Sequence, residues 1–153
     1  MPPLQHAPTC ATAVLWLTSW SVTWVFDTTP GELFVIRNAG NTAFTEAIAS
    51  VEYSVSVLKT PLLMVMGHSG CGAVTAAMGT NPLTPSLDRL IQPIRENISG
   101  SSDLEEAVKR NALASASTLM QRSAVLADAK ARGALKLVVG CFQLSSGVVT
   151  LIE

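Results

Sequence analysis

The stretch PLLMVMGHSGCGAVTAAM (61–78) decides how this chain folds. Leu62 to Met66 is an unbroken apolar run with the length of a strand buried on both faces. Gly67, Gly70 and Gly72 break it, and small helix-forming residues lead on to Met78. A buried strand, a glycine-rich turn and a helix form part of a βαβ unit. In an open α/β sheet, ligands bind where strands end and the following helices begin. This turn stands at such a place. It holds His68, one of two histidines, and Cys71, one of three cysteines.

Working outward, LFVIR (33–37) is a second buried-strand run, preceded by the turn signal TTPG (28–31). NAGNT breaks it, and Asn41 or Thr42 is expected to cap a helix running to about Lys59. Phe44, Ile48, Val51, Val55 and Leu58 form its apolar stripe. After residue 78 come three prolines and a short helix, LDRLIQPIREN. Ser102 and Glu105 make a capping box for a long helix to about Lys130, with Leu104, Val108, Ala112, Leu119 and Leu126 inward. Gly133 ends it, LKLVVGCF (135–142) is a further buried strand, and VVTLIE closes a hairpin with it. Upstream, Trp20, Val22, Trp24 and Phe26 alternate with smaller residues and predict a half-buried strand. The pattern predicts an α/β fold: a mostly parallel sheet flanked by helices on both faces, with a C-terminal antiparallel strand, in one domain over 1–153.

Hydrophobic residues make up 48% of the 153-residue chain and charged residues only 14%, which predicts that a partner subunit covers part of the surface. A net charge of −1 without a basic stripe argues against nucleic acid. No charged residue or histidine occurs from Ala7 to Phe26, but the threonines and serines there argue against a membrane span, and the absence of Lys or Arg before it argues against a signal peptide. Cys10, Cys71 and Cys141 are not an even set, which predicts an intracellular, reducing compartment, cytoplasmic or organellar.

Four chemistries could use GHSGCG. A phosphate loop fails because Ala73 and Val74 stand where Lys and Ser or Thr belong. A nucleophile elbow at Ser69 lacks a base, since no His follows residue 68. Cys71 could be a thiol nucleophile at a helix start. His68 and Cys71 could face one metal ion, and imidazole with thiolate favours zinc. Against all four stands a bland reading, a buried Cys beside a His that caps the helix. Cys141 reads as a core cysteine.

FDTTPGELFVIRNAGN (26–41), VEYSVSVLKTPLLMVMGHSGCGAVTAAM (51–78) and LVVGCFQLSSGVVTLIE (137–153) together resemble the β-class carbonic anhydrases. The resemblance implies a zinc lyase (a carbonate dehydratase) that hydrates CO2 reversibly to bicarbonate, and a homodimer or higher homo-oligomer. COS and CS2 are small relatives of that substrate. It implies zinc held by two cysteines and one histidine, with His68 and Cys71 matching two of them. The third ligand belongs to a Cys-x-Asp-Ser-Arg motif, and here this chain departs. Counted back without gaps from Phe26, the Cys, Asp and Arg fall on Leu15, Leu17 and Ser19. The available thiol is Cys10, five residues earlier, after which Thr12 and Val14 replace Asp and Arg. The metal set expected from the resemblance is therefore Cys10, His68 and Cys71, with no certain catalytic residue.

The genetic code supplies a reason for Cys10. Codons for Cys-Ala-Asp-Ser-Arg, TGC GCG GAC AGC CGT, become TGC GCG ACA GCC GT when one G is lost. That reads Cys-Ala-Thr-Ala-Val, the sequence at 10–14. Residues 12 to about 25 are thus expected to come from a shifted reading frame, which the coding DNA tests. Residues 1–25 are expected to be atypical and to lack the N-terminal helical arm that the resemblance implies. The missing Asp and Arg also admit another expectation, a catalytically degenerate member acting as a structural or regulatory subunit.

Overall fold

The protein is described as a computed structural model over residues 12–16 and 22–152. Five strands form one sheet: β1 (Thr12–Trp16), β2 (Leu33–Arg37), β3 (Leu62–His68), β4 (Lys136–Gln143) and β5 (Val148–Ile152). Their order is β2-β1-β3-β4-β5. β1 runs parallel to β2 and β3, β3 runs parallel to β4, and only β5 is antiparallel. The expected mixed sheet with an antiparallel last strand is observed.

The helices are α1 (Val22–Phe26), α2 (Thr45–Ser56), α3 (Gly72–Met78), α4 (Pro85–Asn97), α5 (Leu104–Arg122) and α6 (Ala124–Ala131). One face of the sheet buries Ala13, Leu15, Leu63, Val65 and Val139 against Val51 of α2, Ala112 and Leu119 of α5 and Leu126 of α6. Beyond α5, helices α3 and α4 form a second cluster around Val74, Ile91, Ile94 and Val108. The opposite face gathers Val14, Met64, Met66 and Phe142 under Val22 of α1.

Several expected boundaries change. The strand expected at Trp20–Phe26 is a helix from Val22 to Phe26, and the strand lies earlier, at Thr12–Trp16. The slot between β2 and β3 is covered on both faces, so it selects a continuous apolar run, and Ala13, Val14 and Leu15 there are fully buried. Val22, Val25 and Phe26 recur at helical spacing and pack on the sheet, while Trp24 points away and is 85% exposed. Residues 17–21, which include Trp20, lie outside the described residues.

Asn41 and Thr42 do not cap α2. They close a short 3-10 turn, Ala39–Asn41, and Phe44 precedes the helix. α2 ends at Ser56 rather than near Lys59, which sits at a φ of 59°. The capping box lies one residue later than expected: Asp103 accepts from the Glu106 N–H, and Glu106 accepts from the Ser102 N–H. The expected long helix is two, because Ser123 leaves helical geometry and its Oγ accepts from the Leu126 N–H to start α6.

Candidate metal centre

β3 delivers His68 at its C-terminal end, where the chain turns through Ser69 and Gly70 into α3. Gly70 has a φ of 68°, a conformation that glycine adopts without strain. The Ser69 N–H donates to the Phe142 carbonyl (2.9 Å), and the Leu144 N–H donates to Ser69 Oγ (2.9 Å). Ser69 thus ties the turn to the end of β4, a structural role that agrees with rejecting it as a nucleophile. Gly67 lets α5 approach: a Cβ there would lie 2.9 Å from Val108 Cγ1.

Cys71 stands at the start of α3 with a φ of −60° and a ψ of 113°. Its carbonyl accepts from the Thr75 N–H (2.9 Å) and from Thr75 Oγ1 (3.0 Å). His68 is 8% exposed and Cys71 is 2% exposed. His68 Nδ1 lies 3.0 Å from the Ser69 carbonyl, which can only accept, so Nδ1 carries the proton. That leaves the Nε2 lone pair as the position from which this imidazole could hold a metal ion, with the Nδ1 hydrogen bond fixing the ring.

The two side chains influence each other's ionisation. Burial pushes the Cys71 thiol up, but the His68 hydrogen bond, the N–H groups of Val74 and Ala73 and the imidazole charge outweigh it. The net shift is below the ordinary thiol value. For His68, burial pushes downward, and the hydrogen bond and charge of Cys71 together with the Ser69 carbonyl outweigh it, so the imidazole sits above its ordinary value. Cys141 behaves differently. Burial dominates, and its thiol is pushed up, as suits a cysteine that is half-buried against the α3–α4 cluster.

The sequence-expected residues are thus only partly brought together. His68 and Cys71 are adjacent donors, one imidazole nitrogen and one sulfur. Among the described residues, no third His, Cys, Asp or Glu joins them. Cys10 lies outside the described residues, as do Leu17 and Ser19. Leu15 is core on the α2–α5 face, Val14 is core under α1, and Thr12 opens β1 opposite Leu62. One imidazole nitrogen and one sulfur suit the chemistry of zinc, and among the described residues no third donor accompanies them.

Sequence reasoning missed the support behind the site. Gly40, at a φ of 69°, lies against Ile94 and Ala73, and its carbonyl accepts from Asn111 Nδ2 (2.7 Å). Asn111 Oδ1 accepts from Asn97 Nδ2 (3.0 Å). The signal was a polar residue on an apolar stripe, between Val108 and Ala112.

Comparison with known proteins agrees with this architecture. The profile of the family described as Carbonic anhydrase matches residues 20–149. Carbonic anhydrase 2 of Mycobacterium tuberculosis is 33% identical over 137 residues, 83% of this chain and 66% of that protein. The carbonic anhydrase of Mycolicibacterium smegmatis is 30% identical over 136 residues, with the same coverage of 83% and 66%. This chain thus spans just under two thirds of the length of these relatives. The Coccomyxa β-carbonic anhydrase, solved with acetazolamide, superposes with a TM-score of 0.83 at 26% identity, covering 96% of this chain and 72% of that one. A tetrameric β-carbonic anhydrase structure from Sordaria macrospora shares the fold, with a TM-score of 0.80 at 22% identity, covering 97% of this chain and 82% of that one. The chain belongs to the carbonic anhydrase family, in its β class.

Proposed function

We propose that this chain acts as a carbonate dehydratase, hydrating CO2 to bicarbonate and reversing the reaction, with zinc as its only cofactor. The observation that supports it most is the buried His68–Cys71 pair at the strand-to-helix turn. His68 Nε2 and Cys71 Sγ would hold the ion, and Cys10 is the third donor that the resemblance offers. When bound, zinc acts as a Lewis acid that makes hydroxide available from water near neutral pH.

The chain's own residues prepare this site. The Ser69 carbonyl holds the imidazole with Nε2 outward. The N–H groups of Ala73 and Val74 stabilise sulfur in its anionic, ligating form. Ser69 and Asn111 fix the two loops that flank the turn. Among the described residues, neither Val14, packed in the core, nor Thr12, at the far end of β1, fills the place of the Asp–Arg pair.

The partner that fits is a second copy of the chain, as homodimer or higher oligomer. Trp24, Val35, Tyr53, Val57, Val148 and Leu151 are exposed apolar surface. Among the described residues no helix is long and apolar enough to cross a membrane. Free Cys71 and Cys141 suit an intracellular location. Stopped-flow CO2 hydration by the zinc-loaded chain tests the proposal. Zinc-dependent turnover lost in His68→Gln and Cys71→Ser is the expected result. Equal rates in all three, or no rate above buffer in a zinc-loaded chain, would reject it.

A further inference from the structure

A cavity of about 200 Å³ lies between the start of α2, the end of α4 and the second half of α5, and shares no lining residue with the His68–Cys71 turn. Phe44 and Pro93 give it apolar walls, and Glu96, Ser115 and Arg122 give it polar ones. α2 begins there uncapped. Phe44 stands at the N-cap, and its side chain makes no capping bond. The first bond of the helix runs from the Ile48 N–H to the Phe44 carbonyl, so the N–H groups of Thr45, Glu46 and Ala47 have no acceptor among the described residues. Aligned peptide dipoles over 12 residues leave partial positive charge at that end, which favours an anion. Glu46 offers a first-turn carboxylate but does not line the cavity.

Arg122 adds a full charge. Its Nη1 donates to the Ala43 carbonyl (2.9 Å) and its Nη2 to Thr45 Oγ1 (3.1 Å), both neutral acceptors. Further N–H donors of the guanidinium remain, and among the described residues no carboxylate pairs with it. Ser115 is an independent sign of a missing partner. It is 2% exposed, its Oγ is shut off from solvent without a hydrogen bond, and it lines this cavity. A buried hydroxyl left unpaired calls for an explanation, and a ligand oxygen supplies one. The far wall has the opposite sign. Glu96 stands near the end of α4, and its Oε1 accepts from Gln92 Nε2 (3.1 Å). A ligand with two negative charges would set one of them against Glu96.

We infer that this cavity binds a small apolar monocarboxylate, with its carboxylate between the start of α2, Arg122 and Ser115 Oγ and its hydrocarbon body between Phe44 and Pro93. A planar carboxylate matches the fork of the guanidinium. The site stands apart from the reading of His68 and Cys71 as a metal pair. Because the ligand joins α2 to α5, its binding stabilises the folded chain.

The test titrates benzoate into the full chain at constant ionic strength, read by calorimetry and by the backbone amide spectrum of isotope-labelled protein. Saturable binding at millimolar benzoate is expected, with the amides of Thr45, Glu46 and Ala47 among those that shift. Ser115→Ala removes one hydrogen bond to the ligand and should weaken binding about fivefold. Arg122→Gln removes the charge and should weaken it about tenfold or more. Phthalate, with a second carboxylate on the same ring, should bind about tenfold more weakly than benzoate. His68→Gln should leave the affinity unchanged. Ser115→Ala is expected to melt like the unmutated chain, so it carries the test even where Arg122→Gln fails to fold. No saturable binding, or equal affinity in Ser115→Ala and the unmutated chain, would overturn the inference. So would phthalate binding as tightly as benzoate. Binding lost in His68→Gln and kept in Ser115→Ala would put the anion at the turn after β3 and overturn it as well.

Discussion

Asn111→Ala is the substitution whose cost can be worked most fully from the structure. Asn111 is 0% exposed in the middle of α5, and its amide is used at both ends. Nδ2 donates to the Gly40 carbonyl (2.7 Å), and Oδ1 accepts from Asn97 Nδ2 (3.0 Å). Alanine removes both bonds and leaves the buried Gly40 carbonyl without its donor. An intramolecular hydrogen bond contributes about 1 kcal/mol net, and a stranded buried group costs about 1–3 kcal/mol. The two figures overlap, because the penalty already contains the lost bond. Asn97, only partly buried, regains water and adds little. The expected loss is about 1–3 kcal/mol, a large share of the typical 5–15 kcal/mol total. For a chain of this size it lowers the melting temperature by roughly 3–10 °C. Urea unfolding followed by circular dichroism, at one protein concentration because the chain is expected to self-associate, measures it. Ser115→Ala is the control. Ser115 lies one turn further along α5, is 2% exposed, and its Oγ has no hydrogen-bond partner, so its removal should change stability by less than about 0.5 kcal/mol. A loss below about 1 kcal/mol for Asn111→Ala, or equal losses for the two variants, would refute the reasoning.

Gly67→Ala places a Cβ 2.9 Å from Val108 Cγ1 and 3.4 Å from the Val108 carbonyl, and should destabilise by about 1–3 kcal/mol. Adding Val108→Ala should recover part of that loss in a double-mutant cycle, and strict additivity would count against the contact. Ser69→Ala removes the acceptor of the Leu144 N–H and should cost about 1–2 kcal/mol, with faster hydrogen exchange at Leu144. Glu106 is held below the ordinary carboxylate value, first by the backbone N–H of Ser102 and then by its hydroxyl. A depressed folded value means that its contribution is present above the ordinary pKa and is lost as pH falls through the folded one. Glu106→Gln should therefore reduce the acid-side slope of stability in urea midpoints, and an unchanged slope would contradict it.

The elements legible in the sequence were those whose residues carry their own instruction. LLMVM and LKLVVGCF are continuous apolar runs, and both became inner strands of the sheet, whereas LFVIR, which reads the same way, is the edge strand β2 with Val35 exposed. His68 and Cys71 were legible for the same reason, because three residues between glycines fix a local turn whatever the rest of the chain does. The misread parts depend on partners far away. Residues 19–26 alternate and propose a strand by themselves, but the position between β2 and β3 is closed on both faces, and TAVLW fills it better than an alternating run could. Ser123 sits in what reads as one long amphipathic helix, and the break there also lets its hydroxyl donate to Glu52, a residue 71 positions away. Asn111 reads as a flaw in an apolar stripe until the Gly40 carbonyl arrives from across the fold. The same dependence governs the turn after β3. His68 and Cys71 are set side by side by a short local turn, whereas any further donor must come from elsewhere in the fold. Among the described residues none joins them, and β1 gives Ala13, Val14 and Leu15 to the core.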